Sequence, residues 1–312
     1  MWRYVLKRLV LAIPTLLGAL TILFILMRLI PGDPAQMILG QMATAEALES
    51  LRHQLGLDRP LHIQYLIFLR DFFQGNLGFS LATQTPTLRR IWEVFPYTVS
   101  LCLMTMVILV IISLSAGIIC AVFRDSWIDY IVSLVVFLSM SMTQFWFGLL
   151  LLLVFSFYLG WLPMFGAGDP GNLIDLFVHL VLPSLALAIS SLGLCTRLTR
   201  SSMLEVLGQD YVRTARAKGL TERKVILKHA LRNAIIPVST VIGMDLGQLL
   251  GGAVIVEVVF ARPGLGTLIW DAILQRDYPQ VQASVAVFAL LFILVNVLTD
   301  ISYALLNPRV KM

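Results

Sequence analysis

Six long stretches without an ionised side chain, apart from one acid, govern what this chain can fold into. They are Leu9–Met27, Val94–Phe123, Tyr130–Gly168, His179–Thr196, Asn233–Val256, which is interrupted by Asp245 alone, and Tyr278–Thr299. Crossing a hydrocarbon layer about 30 Å thick at about 1.5 Å per residue takes roughly 20 helical residues. Each stretch is therefore expected to be one span, and the chain an all-α integral membrane protein with six transmembrane helices. Only 13% of its 312 residues are charged and 58% are hydrophobic, against roughly 25% and 45–50% in soluble domains. A soluble fold and a disordered chain are both excluded. The second and third stretches exceed one span and are expected to include interfacial residues, while Pro183 is tolerated where neighbours satisfy the freed carbonyl.

Charge sorting orients the spans. With the N-terminus inside, the cytoplasmic segments hold 15 Lys and Arg against five acids, and the outer segments seven against 11. Basic residues concentrate on the cytoplasmic side of membrane proteins, so both termini are expected inside. The same sorting removes a nucleic-acid partner, despite the net charge of +5. The first apolar run, 19 residues long and ending in Pro31-Gly-Asp-Pro34, outlasts the roughly 7–15 residues of a signal peptide and is expected to stay as a span. Cys102, Cys120 and Cys195 lie in apolar stretches and read as small buried hydrophobes.

The segments between the spans are patterned. Thr44 precedes Leu48, Leu51 and Leu55 at helical spacing, and Leu61–Phe73 repeats the device with Tyr65, Leu66, Phe68, Leu69, Phe72 and Phe73. Two short amphipathic helices on the membrane surface, or capping the spans, are expected, and a third follows Arg262-Pro-Gly-Leu-Gly266. On the inner side, Asp210–Lys218 reads as a helix stopped by Gly219, with Thr221 capping a second helix. The chain divides at 1–93, the first span with its outer segment, and 94–312, a core of five spans carrying the inner loop 200–232.

That loop carries a resemblance. Asp210-Tyr-Val-Arg-Thr-Ala-Arg-Ala-Lys-Gly219, followed by Lys228-His-Ala-Leu-Arg-Asn-Ala-Ile-Ile-Pro237, resembles the cytoplasmic loop of permease subunits of binding-protein-dependent ABC importers. The likeness is to the dipeptide, oligopeptide, glutathione and nickel branch. The general loop pattern is Glu-Ala-Ala, three residues, Gly, nine residues, then Ile-x-Leu-Pro. Arg213-Thr214-Ala215 stands for the first triplet, Gly219 matches, Leu231 falls on the Leu, and Arg232 replaces the Pro. Pro31-Gly-Asp-Pro34, Leu55-Gly-Leu-Asp-Arg-Pro60, Asn76-Leu-Gly-Phe-Ser80, Leu182-Pro183, Arg262-Pro-Gly-Leu-Gly266, Arg276-Asp-Tyr-Pro279 and Asn307-Pro-Arg309 resemble that branch in the same order.

The resemblance implies a type I importer permease fold in a bacterial inner membrane, and the import of short peptides. It implies a second homologous permease as heterodimer partner, two cytoplasmic ATPase subunits that bind ATP and Mg, an extracytoplasmic substrate-binding protein, and surrounding lipid. No cofactor, metal or catalytic residue is implied in this chain. The ATPase contact falls on Asp210, Tyr211, Arg213, Thr214, Ala215, Ala217, Gly219, Leu220 and Leu231, with Ala215 and Gly219 allowing close approach. Nickel, a metal chelate or glutathione are alternative cargoes within the branch.

From the residues themselves, no Gly-x-x-x-x-Gly-Lys-[Ser/Thr] phosphate loop, metal-ligand spacing or nucleophile elbow occurs, so an enzyme is disfavoured. Gly243, Gly247 and Gly251 share a helix face and permit close packing, either inside the subunit or against a partner. Asp245 points away from that face. It is a candidate for the substrate path or for a hydrogen bond to a neighbouring span. An ion-coupled secondary transporter using Asp245 is the competing class, but it predicts internal repeats of spans.

Overall fold

A computed structural model describes residues 2–29, 44–54 and 58–306. The Pro31–Pro34 motif, the Leu55–Gly56 turn and Asn307–Arg309 lie outside the described residues. Every named element is a helix: α1 (Trp2–Leu29), α2 (Ala45–Gln54), α3 (Leu61–Phe73), α4 (Thr87–Val122), α5 (Trp127–Ser141), α6 (Gln144–Leu151, prolonged by a wider π turn over Leu152–Tyr158), α7 (Leu173–Leu207), α8 (Asp210–Ala217), α9 (Glu222–Val259), α10 (Leu265–Leu274) and α11 (Tyr278–Leu306). Among the described residues five helices, α1, α4, α7, α9 and α11, are long and apolar enough to span a membrane, and the pair α5–α6 makes a sixth if taken as one broken span.

These helices satisfy their own backbone and many of their own hydroxyls. Thr21 and Thr105 donate to the carbonyls of Leu17 and Leu101 one turn back, at 2.6 and 2.7 Å, so these two hydroxyls sit in apolar spans without an unmet donor. Pro14, Pro96, Pro183 and Pro237 all sit inside helices. The fourth apolar stretch, short between its flanking charges, is in fact the centre of the 35-residue α7.

The third stretch departs most from expectation: α5 and α6 meet at 116°. Met142 is extended (φ −92°, ψ 139°), and Thr143 restarts the chain as a helix cap, its side chain accepting from the Trp146 amide at 3.4 Å. Neither residue is a strong helix breaker, so an uninterrupted apolar window conceals the break.

The chain forms two compact units. One comprises Leu6–Pro96 with Gly264–Leu294. Here Thr44 caps α2 as expected, accepting from the Ala47 amide at 3.3 Å. The aromatic face of α3 packs on α1: the Tyr65 and Thr21 hydroxyls meet at 2.6 Å, Phe24 lies 5.4 Å from the Tyr65 ring and 5.8 Å from Phe68, and Leu20, Leu23, Phe72 and Ala286 form a core. Leu265 and Leu268 of α10 bury against Ile91 and Ala283. The Asp277 carboxylate accepts from the Ser80 hydroxyl, the amides of Leu81 and Ala82 at 3.1 and 3.3 Å, and the Gln280 amide at 3.2 Å. Residues 264–294, grouped with the later spans by sequence, thus pack with the first span and its loop.

The other unit takes in Tyr97–Pro263 and the chain from Val295. Leu109, Cys195, Val238 and Ile242 form a core between α4, α7 and α9. Small residues set its closest approaches: a Cβ on Gly117 would fall 2.5 Å from Thr199 Cβ, and one on Gly193 would collide with Met140.

Because Asp277 satisfies both backbone amides and a hydroxyl of the Ser80 turn, Asp277→Ala is expected to cost about 2–4 kcal/mol and to loosen residues 80–85. A lowered melting midpoint in detergent, with faster proteolytic nicking in that turn, is the outcome to measure; an unchanged midpoint would contradict it.

Candidate functional site

The inner hairpin has the boundaries expected, and its geometry comes from two faces. Asp210 and Arg216 occupy the first and last turns of α8, matching the helix dipole at each end. Gly219 takes φ +75°, a left-handed conformation that favours glycine. Thr221 occupies the cap position of α9, yet its side chain makes no capping hydrogen bond; its carbonyl accepts from Lys224 and Val225 instead. Arg216 closes the bend through Glu222, Nε to Oε1 at 2.8 Å, and Asn233 donates to the Tyr211 hydroxyl at 2.8 Å.

Two expected contact residues face inward. Ala215 is buried with Val212 and Val225 beside Val206 and Leu207, because Val212 and Ala215 are three apart and share the face turned toward α9. Leu231 packs on Ala121, Met203, Ala230 and Ala234. Ala215 thus sits inside the hairpin, where its small side chain lets α8 close on α9. Asp210, Tyr211, Arg213, Thr214, Ala217, Gly219 and Leu220 remain exposed, and a Cβ at Gly219 would meet nothing within 4 Å. Among the described residues, space inside the chain does not require glycine there; the backbone angle does.

Just above the hairpin lies an ion pair that counting charges by membrane face did not resolve. Arg200 of α7 grips Asp129 of α5 with two hydrogen bonds, Nε to Oδ1 at 2.9 Å and Nη2 to Oδ2 at 2.7 Å. Asp129 also accepts from the Asp125 amide at 3.1 Å and from Ser133 at 3.3 Å, while its own amide is capped by Ser126. The sequence signal was a Ser126-x-x-Asp129 start together with Arg197 and Arg200 near the inner end of a span.

The intramembrane candidates also resolve. Gly243 and Gly247 face α11 of the same chain: a Cβ at Gly243 would lie 3.8 Å from Thr299 Cγ2, and one at Gly247 would collide with the Asn296 side chain. Of the two packing alternatives, the one inside the subunit applies to these two. Gly251 is open, whereas its neighbour Gly252 is crowded by Gln144 and Leu187. Asp245 is 6% exposed, held by Ser191 and by Cys195, whose Sγ lies 3.6 Å from Oδ2. That position corresponds to a hydrogen bond with a neighbouring span rather than to a lining residue, since α9 turns Asp245 toward α7.

Residues 113–312 match the binding-protein-dependent transport system inner membrane components, and residues 1–102 match the N-terminal part of the same class of membrane component. The chain belongs to this family. The permease is 41% identical, over 100% of both chains, to the dipeptide transport system permease protein DppB of Alkalihalophilus pseudofirmus. It is 44% identical to the glutathione transport system permease protein GsiC of Escherichia coli O6:H1, over 100% of this chain and 99% of that one. A solved structure of the MetNI methionine ABC transporter in inward-facing conformations shares the fold, with a TM-score of 0.55 and 17% identity over 70% of this chain and 95% of that one. The chain is thus a transport subunit, a multi-pass component of a bacterial inner membrane.

Arg200→Met would leave the Asp129 carboxylate buried without its counter-charge, which costs about 3 kcal/mol. The yield of folded permease after detergent extraction is expected to fall, and Asp129→Asn combined with Arg200→Met to recover most of it. A double variant no better than the single one would show that the pair does not act as a unit.

Proposed function

We propose that this permease imports short peptides, with energy from two partner ATPases that bind ATP and Mg, and that the α8–α9 hairpin is the contact through which they drive it. The observation that carries the coupling role is the exposed face of the hairpin. Tyr211, Arg213, Thr214, Ala217 and Leu220 lie outside on a unit closed from within by Val212, Ala215 and Val225 and braced by Arg216–Glu222. A push on that face reaches α7 and α9 directly, because α8 follows α7 after Gly208 and Gln209, and α9 follows Gly219 after Leu220 and Thr221. The dipeptide and glutathione permeases among its relatives support a peptide cargo, and glutathione is itself a small peptide. A second homologous permease completes the passage, and a soluble binding protein delivers the solute from outside.

Gly219→Asp adds a charge at the bend and a Cβ to a backbone with φ +75°. It is expected to leave the permease inserted but to reduce co-purification of the ATPase and peptide-stimulated ATP hydrolysis by about tenfold. Normal transport in this variant would remove the hairpin from the mechanism. Topology has its own check: in a chain without other cysteines, Thr83→Cys should react with an impermeant thiol reagent in intact cells and Thr221→Cys should not. The reverse pattern would invert the orientation.

A further inference from the structure

With α5 and α6 taken as one broken span, the break falls near its middle, and it is not enclosed by the chain. Ser141 and Thr143 are exposed on either side of the extended Met142. Non-helical backbone at membrane depth is tolerated only where protein buries it or where it lines a water-filled cavity. Beside the break the side chains are polar: Gln144 donates from Nε2 to the exposed Ser190 hydroxyl at 2.8 Å, and Ser190 stands halfway along α7.

Gln144 reaches Ser190 because Gly252 makes way. A Cβ there would lie 2.6 Å from the Gln144 carbonyl oxygen and 2.8 Å from its nitrogen. On α9, Met244, Gln248, Gly251 and Ile255 follow at spacings of four, three and four residues, which puts them on one face. All four are exposed, while Asp245, Leu249, Ala253 and Val256 are buried behind them. A second exposed amide, an exposed hydroxyl and an open glycine thus share mid-depth with the break. An amide or hydroxyl turned toward lipid costs several kcal/mol in apolar surroundings, so this face is unsuited to hydrocarbon. By contrast, Leu103, Val107 and Ile111 give α4 an exposed aliphatic face.

We infer that Gln144, Ser190 and Gln248 line the passage for the transported solute, which they meet with uncharged hydrogen-bonding groups suited to the backbone amides of a short peptide. The inference rests on the importer reading above and gives the passage its residues. Asp245 lies behind this wall: Ser191 and Cys195, which hold it, sit on α7 beside and one turn below Ser190. Neutral groups bind each amide weakly enough to release it, whereas a bare carboxylate would hold a peptide's amino end.

The test uses single cysteines in the assembled complex, with Cys102→Ala, Cys120→Ala and Cys195→Ala as background. Ser190→Cys and Gln248→Cys should react with a charged methanethiosulfonate about tenfold faster than Leu103→Cys, because the attacking thiolate forms only where water enters. Added alanylalanine should slow both. Rates equal to that of Leu103→Cys would place this face against lipid or partner and overturn the inference. Fast labelling that alanylalanine leaves unchanged would support the passage while removing the peptide cargo. In the otherwise native chain, Gln248→Leu should lower alanylalanine uptake about tenfold at equal complex yield, with Gln248→Asn retaining it; full uptake by Gln248→Leu would remove Gln248 from the lining.

Discussion

Hydrocarbon offers no hydrogen-bond partner, and the architecture follows from that single fact. Each span must close its own amide–carbonyl ladder, which makes long helices obligatory and makes any interruption conspicuous. Thr21 and Thr105 fold their hydroxyls back onto their own helices, and four prolines sit inside helices. The extended residue Met142 is the exception within a span. It survives beside Thr143, which caps the next helix, and beside Gln144, which finds Ser190.

Polar residues fall into two groups that do different work. Asp129 with Arg200, Asp245 with Ser191 and Cys195, and Asp277 with the Ser80 turn are acids fully engaged by donors and sunk into the protein. Their removal leaves unmet charges or amides, so they act on the folded state. Tyr211, Arg213 and Leu220 on the hairpin, and Ser190 and Gln248 at mid-depth, are exposed side chains outside the buried cores. Rigid acids behind, adaptable neutral groups in front, is a division suited to a protein that must move without unfolding.

Much of this was legible in the sequence because it rests on short-range rules. Charge-free windows locate the spans, Thr44 and the aromatic spacing of Leu61–Phe73 locate two outer helices, and Asp210 to Gly219 marks α8 almost to the residue. Three things were hidden for physical reasons. The bend at Met142 lies in a window whose composition is equally good for one straight helix. Ala215 looked like a contact residue because small size serves inner packing and outer approach alike, and only the register of Val212 and Val225 decides between them. Asp245 stayed open between the substrate path and a hydrogen bond to a neighbouring span because a single helix has faces but no neighbours; Ser191 and Cys195 supply them from another helix.

The pairing of Leu6–Pro96 with Gly264–Leu294 carries a consequence for how the protein is made. The first span and outer turn leave the ribosome early, but Ala286, Leu265 and Asp277, which complete their packing, are encoded near the other end. At roughly 5–20 residues per second, synthesis of the intervening chain takes about ten to thirty seconds. During that time the aromatic face of α3 has only α1 to cover it, and the amides of Leu81 and Ala82 have no carboxylate to receive them. The N-terminal unit is therefore the first inserted yet is completed only near the end of synthesis, so its early part is a stretch of nascent chain with need of an insertase or chaperone at its side.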